Sequence, residues 1–276
     1  MVLAALALVP SQEKPALHPH IVSGSAQVRY TEDGIPERWG STQLTLQIDP
    51  TLKRLDPNAA DAVARSVEAW QGLENLPRVD VMSLAGSSDE DDDAPAKLEE
   101  SELVPDGKNT ISYRRLNIPG HRKDLAITVT YANPRTGEIV EADMYVNARR
   151  DFGLLARDIE ATPSCSGSVS GRCDQRFDLQ SVVTHELGHL FGLGEDLEDP
   201  LSTMYLCTSP CETHKRVLSE PDHLSATELY LAEIPAEEQG VSCSMGRHAV
   251  PPLRAVAWLL LGASGLLLHR RSRLRA

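Results

Sequence analysis

The feature that most constrains this chain is a short segment with two histidines one helical turn apart. It spans residues 185–195 and reads HELGHLFGLGE. His185 and His189 are four positions apart, so a helix places both on one face. Two imidazoles so placed bind a single zinc ion, and Glu186 between them is positioned to take a proton from a water. We therefore expect a zinc-binding helix with Glu186 as general base.

The end of the same segment offers a third zinc ligand. Gly192 follows His189 by three residues and lets the chain turn out of the helix; Glu195 follows His189 by six. Carboxylate oxygens are competent zinc ligands. We predict Glu195 as the third ligand, with Asp196 as the neighbouring alternative and Asp199 as a more distant one.

The residues before this helix alternate between strand-like and helix-like patterns, which predicts an α+β fold. Asp56-Pro57 predicts the start of a helix whose apolar face carries Val63, Val67 and Trp70. Asp178 is the predicted N-cap of the histidine helix. The predicted strands are 41–49, 79–84, 109–113, 125–131 and 139–147.

Charge and composition exclude one class of partner. The chain has 276 residues, 41% of them hydrophobic, and a formal net charge of −13. Such an acidic protein repels nucleic acid phosphates. The acidic run 86–106 is expected to be a solvated loop. It lacks the spaced aspartates of a Ca²⁺ loop, so Ca²⁺ binding is possible but unsupported.

Both ends of the chain resemble targeting segments. Residues 1–20 begin with an apolar run like that of a secretory signal, and we expect the catalytic domain to span 21–236. A linker, 237–254, is followed by an uncharged apolar run, 255–268, and an Arg-rich end, 269–276. The apolar run spans only about 21 Å as a helix, so it predicts a short membrane or sorting segment. We expect export, then surface display or secretion after processing.

The five cysteines fit an oxidising compartment. Cys165 and Cys173 flank one short loop, and Cys207 and Cys211 flank another, so we predict pairing within each loop; crossed pairing stays open. Cys243 is left over, as a processing site would be.

The zinc-binding segment resembles the metzincin signature H-E-x-x-H-x-x-G-x-x-H, with Glu195 in the last place. Residues 200–205, PLSTMY, resemble the metzincin Met-turn. The flanking pieces DGKNTISY, PRTGEIVEADMYVN, FDLQSVVTHELGH and LSEPDHLSATELY are similar to matrixins, the matrix-metalloprotease group, and especially to their bacterial relatives.

This resemblance implies a fold, a site and an activity. The fold is a twisted, mostly parallel sheet packed on an N-terminal helix and the zinc-binding helix, followed by a C-terminal helix. His185 and His189 bind one catalytic Zn²⁺, Glu186 is the base, and Met204 forms the floor without ligating. A strand within 139–147 lines the cleft and pairs with an extended peptide. A monomeric zinc endopeptidase acting on peptides or proteins is implied.

The chain also departs from the matrixin pattern. A matrixin has a third histidine where Glu195 stands. No cysteine precedes Cys165 in this sequence, so we expect no matrixin cysteine switch. The tail with Cys243 resembles the MYXO-CTERM sorting signal of myxobacterial surface proteins, which implies processing near Cys243. The alternative function is a catalytically weak or inactive zinc-bound surface binding protein. Glu186 argues against it, because a binding protein has no use for that base.

Overall fold

The computed structural model describes residues 17, 19–21, 28–86, 94–156 and 173–231. In this part of the chain there are three α-helices, α1 (Ala59–Gln71), α2 (Leu179–Leu190) and α3 (Glu220–Leu231). The strands, in chain order, are β1 (Pro19–Ile21), β2 (Arg38–Trp39), β3 (Gln43–Ile48), β4 (Arg78–Ser83), β5 (Lys97–Leu98), β6 (Asn109–Leu116), β7 (Ala126–Ala132), β8 (Glu138–Asn147), β9 (Phe152–Gly153) and β10 (Phe177–Asp178).

One large mixed sheet contains all the strands except β9 and β10. Its order is β1-β7-β8-β6-β3-β4, with β2 beside β8 and β5 beside β6. β8, β6, β3 and β4 run parallel, whereas β7 is antiparallel to both β8 and β1. The α+β class is confirmed, and the five strands predicted from the sequence are found within a few residues of their expected bounds.

The strand that faces the cleft is not the one we expected. The prediction for 139–147 is wrong because β8 lies inside the sheet, between β7 on one side and β6 on the other. An interior strand has no free hydrogen-bonding edge for a peptide. β7 is the next strand outwards, and β1 pairs with its outer edge only at Val129–Tyr131. β1 also crosses the domain boundary predicted between residues 20 and 21.

Helix α1 begins two residues later than predicted. Its N-cap is Asn58, while the Asp56 carboxylate accepts a hydrogen bond of 2.8 Å from the Asn58 backbone N–H and closes the preceding turn. The expected apolar face is present, with Trp70 fully buried. The Trp70 indole N–H donates to the Thr184 carbonyl of α2 at 2.9 Å, so the two helices are joined by a directed bond as well as by packing.

Helix α2 is buried along nearly its whole length. Every one of its residues except His185 is buried. The predicted N-cap is confirmed: the Asp178 carboxylate accepts from the Ser181 N–H at 2.8 Å. Arg216 also donates two hydrogen bonds to this carboxylate, from Nε at 2.7 Å and from Nη2 at 2.5 Å. A bidentate pair of this kind fixes the orientation of both groups, and it sets where α2 begins.

Gly192 ends α2 and sends the chain back across it. Its φ is +99°, and a Cβ at this position would overlap the Glu37 carbonyl oxygen, so only glycine fits. The Gly192 carbonyl accepts from the Arg29 N–H at 3.1 Å. Arg29 is itself buried; it donates to the His189 carbonyl and forms an ion pair with Glu37 at 3.3 Å. The segment around Arg29 therefore supports the C-terminal end of α2.

The acidic run 86–106 is not wholly a loop. Its described part contains β5 and a helical turn at Glu100–Glu102. Leu98 and Leu103 are buried against Leu116 and Ile118, at the side of the sheet away from α1 and α2. The prediction missed this because the two leucines lie within a strongly charged sequence. In the folded chain, burial of their apolar surface outweighs the entropy cost of ordering this segment.

The local disulfide pairing is wrong. Cys173 is bonded to Cys211, 38 residues away. Cys207 is disulfide-bonded as well. Cys173 therefore does not pair with Cys165, nor Cys207 with Cys211. The crossed alternative, Cys165 with Cys207, stays a prediction because Cys165 lies outside the described residues.

Several expectations concern residues that the structure does not describe. These are the signal-like start, Cys243, the apolar run 255–268 and the Arg-rich end. Within the described residues, no helix has both the length and the apolar character needed to cross a membrane.

Candidate metal centre

Three of the predicted site residues converge at one point. The Glu195 carboxylate lies 3.6 Å from His185 Nε2 and 3.4 Å from His189 Nε2. The potential ligand atoms of the three residues all lie within 4.8 Å of one another. Among the described residues, this is the one group of three or more His, Cys, Asp or Glu side chains close enough to hold a metal ion.

The backbone fixes the tautomer of both histidines. His185 Nδ1 lies 2.7 Å from the Thr203 carbonyl oxygen, and His189 Nδ1 lies 3.0 Å from the Leu193 carbonyl oxygen. A carbonyl only accepts, so each Nδ1 carries the proton and donates it. In the neutral imidazole, each Nε2 is then the unprotonated atom and presents its lone pair to the candidate metal site.

Glu195 supplies the negative charge of the site. Burial alone would raise its pKa, but attraction to the imidazolium forms of His185 and His189 outweighs burial and holds the pKa below the usual range. The residue is therefore a carboxylate at neutral pH. Its Oε2 atom is buried and has no hydrogen-bond partner. A buried oxygen without a partner is costly unless something else coordinates it.

These observations fit zinc. In tetrahedral coordination with bonds of about 2.0–2.1 Å, neighbouring ligand atoms are separated by about 3.3–3.4 Å. His185 Nε2 lies 3.6 Å from Glu195 Oε2 and His189 Nε2 lies 3.4 Å from Oε1, so each imidazole has a carboxylate oxygen near that distance. Two neutral imidazoles and a carboxylate are also a ligand set that zinc uses in enzymes, with a fourth position left open.

The alternative third ligands are engaged elsewhere. Asp196 Oδ1 accepts from the backbone N–H groups of Glu198 and Asp199, at 2.8 and 3.2 Å. Asp199 Oδ1 accepts from the Leu201 N–H at 2.9 Å. Both side chains thus form local turns, and neither belongs to the converging group around Glu195.

Glu186 is buried beside these ligands and is held by a residue that the sequence did not reveal. The Thr128 hydroxyl of β7 donates to Glu186 Oε2 at 2.6 Å. Glu186 also lines the cavity that contains His185, His189 and Glu195. A carboxylate with one oxygen fixed in this way presents the other in a defined direction.

The turn after the metal site is fixed by α3. The Asp222 carboxylate accepts from the Ser202 hydroxyl at 2.7 Å and from the Thr203 and Met204 N–H groups at 2.8 and 3.2 Å. Burial alone would raise the pKa of Asp222, but these hydrogen bonds and those from Ser219 hold it below the usual range. Since Thr203 also accepts from His185, Asp222 acts on the metal site through one intermediate residue.

Met204 packs directly beneath α2. Its side chain is buried, and it lies so close to Gly188 that a Cβ there would overlap the Met204 sulfur. Trp70 approaches the same point, at 3.1 Å from the position of that Cβ. The glycine between Leu187 and His189 is therefore required by packing, whereas its φ is that of an ordinary helix.

The metal centre opens into a cavity of about 570 Å³. One wall is formed by the start of β7 and the residues before it, including Ala126 and Ile127, and another by the segment after Met204, including Leu206. The cavity is large enough for a side chain and the adjoining backbone of a peptide.

The chain was also compared with known protein families. The sequence model of the family described as Matrixin matches residues 91–231, about half of the chain. The chain belongs to the matrixin family. Membership indicates a zinc-dependent metallopeptidase. The matching span includes β7, α2, the converging ligand group and the turn at Met204. No curated protein matches the chain.

Several residues that build this matrixin site escaped the sequence analysis. Thr128, Asp222 and Lys215 each face the site or support it, yet each lies in a sequence context typical of an ordinary strand or surface. The threonines of β7 alternate, but that pattern occurs in any half-buried strand. Lys215 stands in the polar run ETHKR, which gives no sign that its side chain is buried.

We predict that Gly188→Ala destabilises the protein by about 1–3 kcal/mol, the usual cost of an added methylene in a packed core. Met204→Ala in the same chain removes the overlapping sulfur and should recover part of the loss. Chemical denaturation of the single and double variants measures this coupling. Gly72→Ala is the control, because a Cβ there meets nothing within 4 Å. Equal stability of wild type and Gly188→Ala would contradict the packing role.

Proposed function

We propose that this chain is a zinc-dependent endopeptidase that cleaves protein or peptide substrates. The observation that carries the proposal is the convergence of His185, His189 and Glu195 beside a buried Glu186, at the inner end of an open cavity. Ligands and base in this arrangement support metal-assisted hydrolysis of a bound carbonyl compound.

His185 Nε2, His189 Nε2 and a Glu195 oxygen would hold the zinc. When bound, zinc supplies Lewis acidity, which polarises a carbonyl and makes water easier to deprotonate. We assign Met204 to the apolar floor below the ligands, without a bond to the metal. The backbone bonds to both Nδ1 atoms orient the two imidazoles, and such partners typically change metal affinity 10–100-fold when lost.

Glu186 moves the proton. Because Thr128 donates to Oε2, we assign Oε1 as the oxygen that takes a proton from the attacking water. As the new C–O bond forms and the C–N bond breaks, the same oxygen returns the proton to the leaving amine. Thr128 is a positioning residue, since it touches the carboxylate and not the substrate.

The substrate backbone would pair with β7. Ala126 and Ile127 line the cavity, and no described strand pairs with them on the side away from β8. An extended peptide adds to such an edge through main-chain hydrogen bonds, whatever its sequence. β1 occupies the edge further along, at Val129–Tyr131, so the free part lies next to Glu186.

The alternative, an inactive zinc-bound binding protein, is not favoured. In that role a buried carboxylate without a charged partner would cost stability and give no benefit. Among the described residues, Glu186 has no cation within 4.0 Å, and its side chain accepts a hydrogen bond from the neutral Thr128 hydroxyl.

Glu186→Gln tests the base directly. We expect the variant to bind zinc as the wild type does and to lose more than 99% of its peptidase activity, because an amide does not accept the proton; general-base catalysis is worth about 10²–10⁴-fold. Casein cleavage with and without a chelator, together with metal analysis, measures both effects. Glu228→Gln, at an exposed position on α3, is the matched control. Full activity in zinc-loaded Glu186→Gln would refute the mechanism.

Glu195→Ala tests the third ligand. The variant keeps two histidines, and we expect its zinc affinity to fall by at least about 10–100-fold, which is the usual loss even for an indirect partner. Glu195→His replaces the carboxylate with the ligand usual in matrixins and should bind zinc well. Competition with a chromogenic chelator gives the affinities, and Asp196→Ala is the control. If Glu195→Ala matched the wild type while Asp196→Ala lost zinc, Asp196 would be the ligand.

We further propose that the protein is exported and acts at the cell surface or after release by processing near Cys243. The support is chemical: Cys173–Cys211 is a disulfide and Cys207 is oxidised too, which suits an oxidising compartment. We expect thiol alkylation of protein from its source cells, followed by mass analysis, to find Cys173 and Cys211 protected until reduction. Free thiols at both positions would contradict export.

A further inference from the structure

Lys215 is a buried cation next to the candidate metal centre, and its ammonium group forms no ion pair with any described carboxylate. The residue is 2% exposed, yet it lines the same cavity as His185 and Glu195. Its ammonium group donates to the Tyr205 carbonyl oxygen. No described carboxylate oxygen lies within 4.0 Å of Lys215 Nζ. An ammonium has three donors, so this lysine retains donor capacity inside the cavity.

The nearby carboxylates attract Lys215 from a distance but are bound to other groups. Glu195 faces the two histidines, and Asp222 accepts from the turn at Ser202. Glu212 Oε2 accepts from the Thr208 hydroxyl at 2.7 Å. Burial lowers the pKa of Lys215 to about 8 against the attraction of these acids, so the group still carries a proton at neutral pH. A buried charge of this kind is costly unless an opposite charge meets it.

The rest of the cavity favours an anion with an apolar stem. Val182, Leu206 and Phe177 supply apolar surface, while Lys123 and Arg150 add two further cations. This basic lining contrasts with the net charge of −13 of the chain as a whole.

Two of the three acids in the cavity wall are already assigned to the metal site. Glu195 is the predicted ligand and Glu186 the predicted base. The third, Asp124, has the His121 imidazole as a partner at 2.8 Å. The charged side chains that remain available to a ligand in this cavity are therefore basic.

We propose that Lys215 selects substrates that carry an Asp or Glu side chain next to the bond that is cleaved. This inference rests on the proposed peptidase function and names its substrate class. The methylene groups of such a side chain would pack on the apolar wall, and its carboxylate would accept from Nζ. A hydrogen bond to a charged group in a desolvated site discriminates strongly against a neutral analogue, which leaves the lysine unpaired.

The test uses pairs of quenched fluorescent peptides that differ only by Glu or Gln at each position flanking the cleaved bond. Gln has the size and shape of Glu without its charge. For the zinc-loaded full chain, we expect kcat/KM to be at least about tenfold higher for Glu at one flanking position. In Lys215→Met, which removes the ammonium group and keeps an unbranched side chain, the Glu-to-Gln ratio should fall to about one. Lys215→Arg should keep the preference for Glu.

Lys108→Met is the control for general effects of charge, because Lys108 is exposed and paired with Asp106 outside the cavity. It should keep the wild-type ratio. An unchanged ratio in Lys215→Met, or a wild-type preference for Gln at both flanking positions, would overturn the proposal. If Lys215→Met did not fold, the Glu-to-Gln ratio of the wild type and the binding measurement described next would decide whether the proposal holds.

Binding provides that readout without catalysis. Zinc-loaded Glu186→Gln should bind the Glu peptide at least about tenfold more tightly than the Gln peptide, as measured by fluorescence anisotropy. Cleavage of the Gln peptide without any preference for Glu would leave the peptidase function standing and reject the role of Lys215. If neither peptide were cleaved but zinc-loaded Glu186→Gln bound the Glu peptide more tightly, the role of Lys215 would stand and the peptidase function would be rejected.

Discussion

The site depends on two hydrogen bonds between imidazoles and backbone carbonyls. His185 donates to Thr203 and His189 donates to Leu193, and these bonds decide which ring nitrogen faces the metal position. Much of the surrounding fold serves to place those two carbonyls. Gly192 turns the chain so that Leu193 lies beneath His189, and Asp222 fixes the turn that contains Thr203. Elements far apart in sequence thus meet at one helix.

Replacing a neutral imidazole with a carboxylate changes the charge balance of the whole region. Glu195 brings one negative charge, and Glu186 lines the same cavity. Two carboxylates in one partly buried region repel each other unless cations offset them. The metal ion would do so at one end of the cavity. Lys215, which lines the same cavity and attracts both carboxylates, offsets them as well. A buried lysine therefore suits a site in which Glu195 is the third ligand, as we propose.

How much the sequence predicts depends on whether a feature is local. The spacing of His185 and His189, the Asp178 cap and the turn at Gly192 involve neighbours in the chain, and the structure has each as expected. The bounds of β8 were also predictable, but its interior place in the sheet was not, since strand order is a long-range property. The predicted disulfide pairing was wrong for the same reason, because the Cys173–Cys211 bond joins residues 38 positions apart.

The same distinction explains the missed site residues. Thr128 contacts Glu186, which is 58 residues away in sequence. The alternation of threonines with apolar residues in β7 indicates only that they share one face of the strand. Leu98 and Leu103 were assigned to a solvated loop because the charges around them dominate any local average, although the sheet offers their apolar surface a place to pack. In each case a contact made by the folded chain outweighs the preference of the local sequence.

β7 has to satisfy two opposing requirements. A peptidase that binds extended peptides needs an open strand edge, but an open edge also pairs readily with other chains and promotes aggregation. In this protein β1 covers Val129–Tyr131, while Ala126 and Ile127 lie in the wall of the cavity. The covered part of the edge is protected by pairing. No described strand pairs with Ala126 and Ile127 on this side, and both residues line a cavity whose walls also carry cations. If a peptide adds to β7 as we propose, the pairing of β1 with Val129–Tyr131 leaves it only a short register, and that register would bring its backbone next to Glu186.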